Sequence, residues 1–499
     1  MRSPPESGPG APSILPAGSR REDTIVLAAT AALAILGLLI LLGAWLPKIL
    51  FAFALIAGAV LAFFRPEVGL YALLLNALVG LTHVAALPRI GPLSVPIAFE
   101  LVLVLSIGYR AIFLRHRLFL ASPQHLLFGL LTLWMFLSLL ANGGVGPQNV
   151  EAIRSLYLVR VLIFFLLTNV VTTGAATKRL VVVLTASNAG LLVTSLLVRA
   201  GYFGAERLTF SEKILRTSGI VHNPNTLAFD LITLVILCAA AFLYVRHPLL
   251  KVLLALIAGF DLLAILTTLS RSGFVALCVV TVYLLWKLKR NWKAIAFVAA
   301  LGILAVLLLP GGLQFRFDLV KGIKDIDRVE FARVALNTAL SNPFFGVGWG
   351  NYIDAFPAYN NTSLPEPAPA HNMYLDLAAQ IGFPALALYL LAFFLTWRRL
   401  AAMEADLKRL GGQRSFLYQF GWAVQACFVN LAVFGLSGDV EFEYSVFAVL
   451  GLGMLLYREH RLRISGGGDF GEMRRRSPSR HAEGRTDVQS APGRDAISS

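Results

Sequence analysis

The sequence predicts an all-α, polytopic transmembrane helical bundle, and three observations carry that prediction. The 499-residue chain is 57% hydrophobic and only 14% charged, whereas a soluble chain carries nearer a quarter charged residues. Its mean hydropathy is +0.73. Apolar runs of the length a bilayer span needs, roughly 20 residues, recur along most of the chain between short polar breaks. A soluble enzyme with one buried helix is excluded.

The elements follow in chain order. Residues 1–23 are polar and Pro/Gly/Ser-rich, and are expected to form a disordered cytoplasmic tail. No cleavable signal is expected, because the first apolar run, Thr24 to Leu46, is long enough to span and no Ala-x-Ala site follows a short apolar core. The membrane region 24–309 holds apolar cores at 24–45, 47–64, 68–87, 96–114, 123–141, 150–171, 179–200, 226–245, 249–269, 273–286 and 294–309. A large outer loop, 310–371, precedes a C-terminal membrane region, 372–463, with cores at 372–397, 416–436 and 442–457. The tail 464–499 is Gly/Ser/Arg-rich and without apolar periodicity, so disorder is expected there too. This gives about twelve to fourteen spans, the lower figure if the first two pair as a re-entrant hairpin around Leu46-Pro47-Lys48.

Net charge is +15 and the pI about 10.0. A nucleic-acid binder would gather that charge on one face. Here it lies in short clusters between apolar runs and in the tails, so no nucleic-acid partner is expected. Arg115/Arg117, Lys178/Arg179, Arg246, Lys287–Lys293, Arg398/Arg399 and Arg458/Arg461/Arg463 fall on one side under alternation. The excess of Lys and Arg in short loops marks that side as cytoplasmic. Cys238, Cys278 and Cys427 all lie in apolar segments at no metal-binding spacing, and are expected to be packing residues.

Two outer segments are basic against that trend. Residues 201–225 hold Arg207, Lys213, Arg216 and His222, and the large loop holds Arg316, Lys321, Lys324, Arg328 and Arg333. Either an anionic ligand or ion pairing with Glu212, Asp318, Asp325, Asp327 and Glu330 explains them. Asp318–Leu340 reads as an amphipathic helix, with Phe331, Val334, Ala335 and Thr338 at helical spacing. Ser341-Asn342-Pro343 stops it. Leu364–Ala370 is a stiff Pro/Ala connector, and Asn372 suits the N-cap of the next span with Asp376 in its first turn.

Four short outer segments could carry chemistry. Arg216-Thr-Ser-Gly leads into His222-Asn-Pro-Asn225, a turn at a helix start. Ser270-Arg-Ser-Gly273 places an arginine close to hydrocarbon, where it must snorkel or pair. Arg328 is followed by Gly346-Val-Gly-Trp-Gly-Asn351, a compact turn rather than a nucleotide loop, since no Gly-Lys-Ser/Thr follows. His371-Asn372 ends the large loop, where a neutral imidazole could take a proton from a hydroxyl. Asp325-Ile-Asp327 is a potential divalent-metal pair, but Lys324 and Arg328 beside it favour ion pairing, and no metal is expected. Asp439, Glu441 and Glu443 form a second acidic cluster, suited to acceptor sugar or to loop arginines.

In order, Arg216-Thr-Ser-Gly…Asn223-Pro-Asn, Ser270-Arg-Ser-Gly, Arg328…Ala335-Leu336, Asn342-Pro-Phe-Phe-Gly-Val-Gly-Trp-Gly-Asn351 and His371-Asn…Leu375…Gly382 resemble the O-antigen ligase and polymerase superfamily of bacterial membrane proteins. The resemblance runs from about Arg216 to Phe394. It implies a bundle similar to lipid-dependent glycosyltransferases of the GT-C type, working without a metal or other cofactor. It also implies a glycan donor on undecaprenyl pyrophosphate, a lipid A–core acceptor, and an active site on the periplasmic side of the inner membrane. On that resemblance His371, Arg216 and Arg328 are the expected catalytic residues: the imidazole as general base, the guanidinium groups as clamps on the leaving diphosphate. Arg160, Arg271, Asn223, Asn225 and Asn372 are the expected substrate-binding residues. Arg160 lies within a span, where snorkelling or a carboxylate partner is an equal alternative. A polymerase using the same donor fits the same residues. A transporter fits less well, because no internal repeat is seen and the polar interest lies at one face.

Overall fold

The computed structural model describes residues 45–79, 95–116, 118–119, 122–154, 159–199, 208–211, 214–217, 223–268, 270–288, 326–362, 364 and 366–465. The chain is a helical bundle of a multi-pass membrane protein. Its elements are α1 (Trp45–Phe64), α2 (Pro66–Val79), α3 (Val95–Ile112), α4 (Pro123–Ala141), α5 (Pro147–Ala152), α6 (Val159–Val170) and α7 (Gly174–Arg199). A small antiparallel hairpin follows, β1 (Leu208–Ser211) and β2 (Ile214–Thr217). Then come α8 (Pro224–Tyr244), α9 (Pro248–Thr267), α10 (Arg271–Leu288), α11 (Ile326–Ser341), α12 (Tyr352–Tyr359), α13 (Met373–Arg409), α14 (Phe416–Phe434) and α15 (Tyr444–Ser465).

Among the described residues six helices, α4, α7, α8, α9, α13 and α14, are long and apolar enough to cross a membrane. The expected cores at 24–45 and 294–309 lie outside the described residues. Of the core expected at 150–171, α5 ends at Ala152 and runs on as a π-helical turn at 153–154, α6 begins at Val159, and residues 155–158 lie outside the described residues. The hairpin at 208–217 is not expected from the sequence, which marks that segment by its basic residues and by the Arg216-Thr-Ser-Gly motif. It packs against α7 and α9.

Local chemistry sets where the helices begin. Ser122, Asn223 and Ser415 each accept a backbone N–H with the side chain at the start of α4, α8 and α14, and Pro follows at N1 in the first two. Asn372 caps α13 as expected, accepting from the N–H groups of Tyr374 and Leu375 at 3.1 Å each. Packing then sorts the helices. The spans of α8 and α14 are 78% buried, that of α9 only 39%, so α8 and α14 form the bundle centre and α9 its lipid-facing flank. α8 packs on α9 and α14, α13 on α4 and α14, and α15 on α6 and α14.

The large loop has a small core of its own. Val334, Ala335 and Ala339 of α11 meet Tyr352 and Phe356 of α12 and Ala378 and Ala379 of α13. This is the apolar face expected from Val334, Ala335 and Thr338. Glu330 and Arg333 pair at 3.1 Å on another face. Residues 318–325, the expected first turns of this helix, lie outside the described residues.

α13 is kinked. Gly382 sits at φ +84° inside it, and Pro384 has no N–H to give. The N–H of Phe383 turns away to the carbonyl of Pro343 (2.9 Å). The carbonyls of Ala379 and Gln380, which residues 383 and 384 would otherwise take, accept from Val347 and Gly348 at 2.9 Å each. The glycine-rich turn 346–350 is therefore docked on backbone acceptors that the kink releases. A broken helix keeps its polar groups satisfied in this way.

Candidate functional site

One end of the bundle collects almost every residue singled out in the sequence. Helix alternation brings there the start of α8, the link from α9 to α10, the large loop, the start of α13, and the turn 435–443 between α14 and α15. That turn ties the others together. Gly435 O accepts from Met373 N (2.8 Å), and Leu436 O accepts from Asn372 Nδ2 (3.1 Å). Ser437 Oγ donates to Ser272 Oγ (2.7 Å). Asp439 Oδ2 lies 3.4 Å from His371 Nδ1.

His371 occupies the left-handed region at φ +50°, a cost for a residue with a β-carbon that its surroundings must hold. Its side chain is 36% exposed, and its ring lies edge-on to Phe331 of α11 at 6.1 Å. Arg328 stands one turn before Phe331 on the same helix. Arg271 is the first residue of α10, where Ser270 Oγ accepts from Gly273 N (3.1 Å) as a cap. Ser270 Oγ also donates to Asn225 Oδ1 (2.8 Å), binding the two helix starts together. Asn223 spends its side-chain oxygen on Asn225 N (2.8 Å). Arg216 lies in β2 opposite Thr209; its side chain lies outside the described residues, as does Asp325 of the expected metal pair.

Beside His371 is a cavity of about 430 Å³, lined among others by Arg160, Asn223, Trp349, Tyr352, Asp376, Gln380, Asp439, Glu441 and Glu443. The sequence pointed to Arg160, Asn223 and the acidic triplet, but missed the rest. Asp376 offered a signal, a carboxylate one turn into an apolar span. Trp349 and Tyr352, flanking a glycine turn, offered none. Gln380 Oε1 accepts from Gly350 N (2.8 Å), and its amide donates to Asp376 Oδ2 (2.5 Å), so the turn and the kinked helix fix one wall.

The cavity is rich in carboxylates. Burial first, then the charges of Asp376 and Asp439, push the Glu441 carboxyl well above its ordinary range. Burial also raises Glu443, while Arg160 opposes the rise. Tyr352 is pushed up by burial and by the same two aspartates. Arg160 interacts electrostatically with Glu443 and Asp230 and lies 5.3 Å over the Tyr444 ring. Among the described residues, five buried atoms around the cavity find no hydrogen-bond partner: Arg160 Nε, Trp349 Nε1, Tyr352 OH, Asp439 Oδ1 and Glu441 Oε2. Buried polar atoms are ordinarily paired, so this concentration marks the wall of a polar-ligand site. Among the described residues no three His, Cys, Asp or Glu side chains group as a metal would need.

The chemistry available is proton transfer at an imidazole backed by a carboxylate, next to a cavity offering many acceptors and a few donors. Fold and site together define a multi-pass membrane protein with a polar cavity at one end of its helical bundle. Residues 252–390 match the family model described as O-antigen ligase. That stretch holds Arg271, Arg328, His371 and Asn372, so this part of the chain is similar to the O-antigen ligase family. No curated protein matches the chain.

Proposed function

We propose that this chain is an integral membrane glycosyltransferase that moves O-antigen glycan from undecaprenyl pyrophosphate to a hydroxyl of lipid A–core, on the periplasmic side of the bacterial inner membrane. The observation that carries the reading is His371, inside the family match and 3.4 Å from Asp439 at the edge of a polar cavity.

The roles follow from charge. A chamber walled by Asp376, Asp439, Glu441 and Glu443 is hostile to a diphosphate and suited to sugar hydroxyls, which donate to carboxylates. The diphosphate belongs outside it, against the segments that carry Arg216, Arg271 and Arg328, with Asn223, Asn225 and Asn372 shaping the helix starts between the two. Asp439 facing Nδ1 favours the tautomer with its proton there, leaving Nε2 to accept. The acceptor hydroxyl attacks the anomeric carbon and its proton passes to Nε2. The bond from that carbon to the phosphate oxygen breaks, and its electron pair leaves with undecaprenyl pyrophosphate. Arginine forks meet the charge growing on that oxygen. Direct displacement inverts the anomeric centre.

The test is transfer by purified protein from a defined lipid-linked donor to lipid A–core. General-base assistance is worth roughly 10²–10⁴-fold, so His371→Ala loses about that much turnover and still binds donor. Arg216→Lys is also poor, because Lys cannot reproduce the guanidinium fork. Undiminished transfer by His371→Ala removes the mechanism, and chain growth on the lipid carrier instead of on lipid A–core assigns a polymerase.

A further inference from the structure

The far end of α8 holds a second cavity. α8 has 21 residues, so its ends lie about 30 Å apart, the thickness of a hydrocarbon core. At the Tyr244 end a cavity of about 690 Å³ is lined by residues that include Phe242, Tyr244, Arg246, Lys251, Arg414 and Gln419. No carboxylate lines it. Among the described residues none of its three cations has an acidic partner within ion-pair distance. Lys251 Nζ instead rests 5.3 Å over the Phe242 ring. A fourth cation stands close by: Lys178 Nζ lies 5.9 Å over Phe416, whose ring packs against Tyr244 at 5.5 Å.

Three cations gathered around one concavity repel each other unless an anion joins them. Two further observations say which anion. The N-cap of α9, His247, gives no side-chain acceptor to the first-turn N–H groups, which leaves donors suited to a phosphate oxygen beside Lys251. From there Leu249, Leu253, Leu256 and Phe260 run along the outside of α9, 73%, 52%, 54% and 50% exposed. Their spacing makes one apolar stripe leading from the cationic cavity into the hydrocarbon depth.

We infer that this cavity binds the phosphate headgroup of an anionic phospholipid, whose acyl chain lies along the α9 stripe, on the membrane face opposite the candidate active site. Basic cavities between helix ends attract such headgroups electrostatically. A free phosphate satisfies the cations equally, but the lipid-facing stripe of α9 sets an acyl chain directly beside a headgroup held there.

The experiment uses the full-length protein, delipidated in detergent and titrated with phosphatidylglycerol or phosphatidylcholine, bound lipid being counted by native mass spectrometry. The intact protein retains phosphatidylglycerol preferentially. R246Q/R414Q weakens that binding about tenfold or more, while R246K/R414K, which keeps the charges, retains most of it. R398Q/R461Q removes the same charge elsewhere on that face and leaves binding unchanged; an equal loss there would reduce the effect to net charge and overturn the site. Equal retention of both lipids, or no effect of R246Q/R414Q, overturns it as well. Displacement of phosphatidylglycerol by millimolar inorganic phosphate reassigns the cavity to a soluble phosphate and overturns the lipid assignment.

Discussion

His371 concentrates the residue-scale argument, because its backbone, its carboxylate neighbour and its place in the family match all meet in one side chain. A left-handed backbone at φ +50° costs about 1–3 kcal/mol in a residue with a β-carbon, and the Asn372 cap beside it holds the strand of chain in place. Asp439→Asn keeps a polar group against Nδ1 but removes its charge. Turnover is expected to fall by less than for His371→Ala, with KM nearly unchanged; a KM effect alone would make Asp439 a sugar-binding residue instead. Glu441 gives a second residue-scale prediction. Its carboxyl is raised in the fold, so its contribution to stability is complete below the ordinary glutamate range and is lost as pH climbs toward the raised value. Glu441→Gln should flatten the Tm–pH curve above the ordinary glutamate range and change little below it. Parallel curves for the two proteins above that range would show that the Glu441 carboxyl is not raised by the fold.

At the scale of elements, helix starts were legible and helix breaks were not. Asn372 with Asp376, and Asn223 before Pro224, announced two starts through the side chains that cap them. Phe331, Val334, Ala335 and Thr338 announced the buried face of α11. The order of the four polar segments foretold that they share one end of the bundle. Nothing local announced the hairpin at 208–217, or the turn 435–443 as the point where the segments meet. By sequence the acidic triplet suits acceptor sugar or loop arginines; in the fold Asp439 lies beside His371, and Glu443 is within electrostatic reach of Arg160. Such pairings are set by tertiary neighbours that no spacing encodes. The kink in α13 makes the element-scale prediction. A β-carbon at residue 382 would lie 2.0 Å from Phe344 O, on a backbone already at φ +84°. Gly382→Ala should cost about 2–4 kcal/mol and loosen the turn 346–350, lowering Tm and transfer together. A normal Tm with full activity would mean that the kink does not hold that turn.

On the scale of the whole molecule, charge is divided between the two ends. His371, the acidic cavity and the large loop share one end. Arg246, Lys287, Arg398, Arg399, Arg414 and the basic C-terminal part of α15 share the other, where Lys287 pairs with Glu404 at 2.7 Å. By the excess of Lys and Arg there, we propose that this end faces the cytoplasm. Trypsin added to sealed inside-out vesicles, whose cytoplasmic face is outward, should therefore cut between α13 and α14, and the same enzyme added to spheroplasts should not. Cutting from the spheroplast side would invert the orientation and place His371 in the wrong compartment for a lipid-linked glycan.

α13 has 37 residues, about 55 Å of helix, against roughly 30 Å of oil to cross. Beginning at Met373 and bending at Gly382, it leaves the lipid with several turns to spare, and that overhang is moored by Glu404 to α10 and by Asp406, 3.4 Å from His460, to α15. The element that adjoins the imidazole on one shore thus ends as a braced pier on the other.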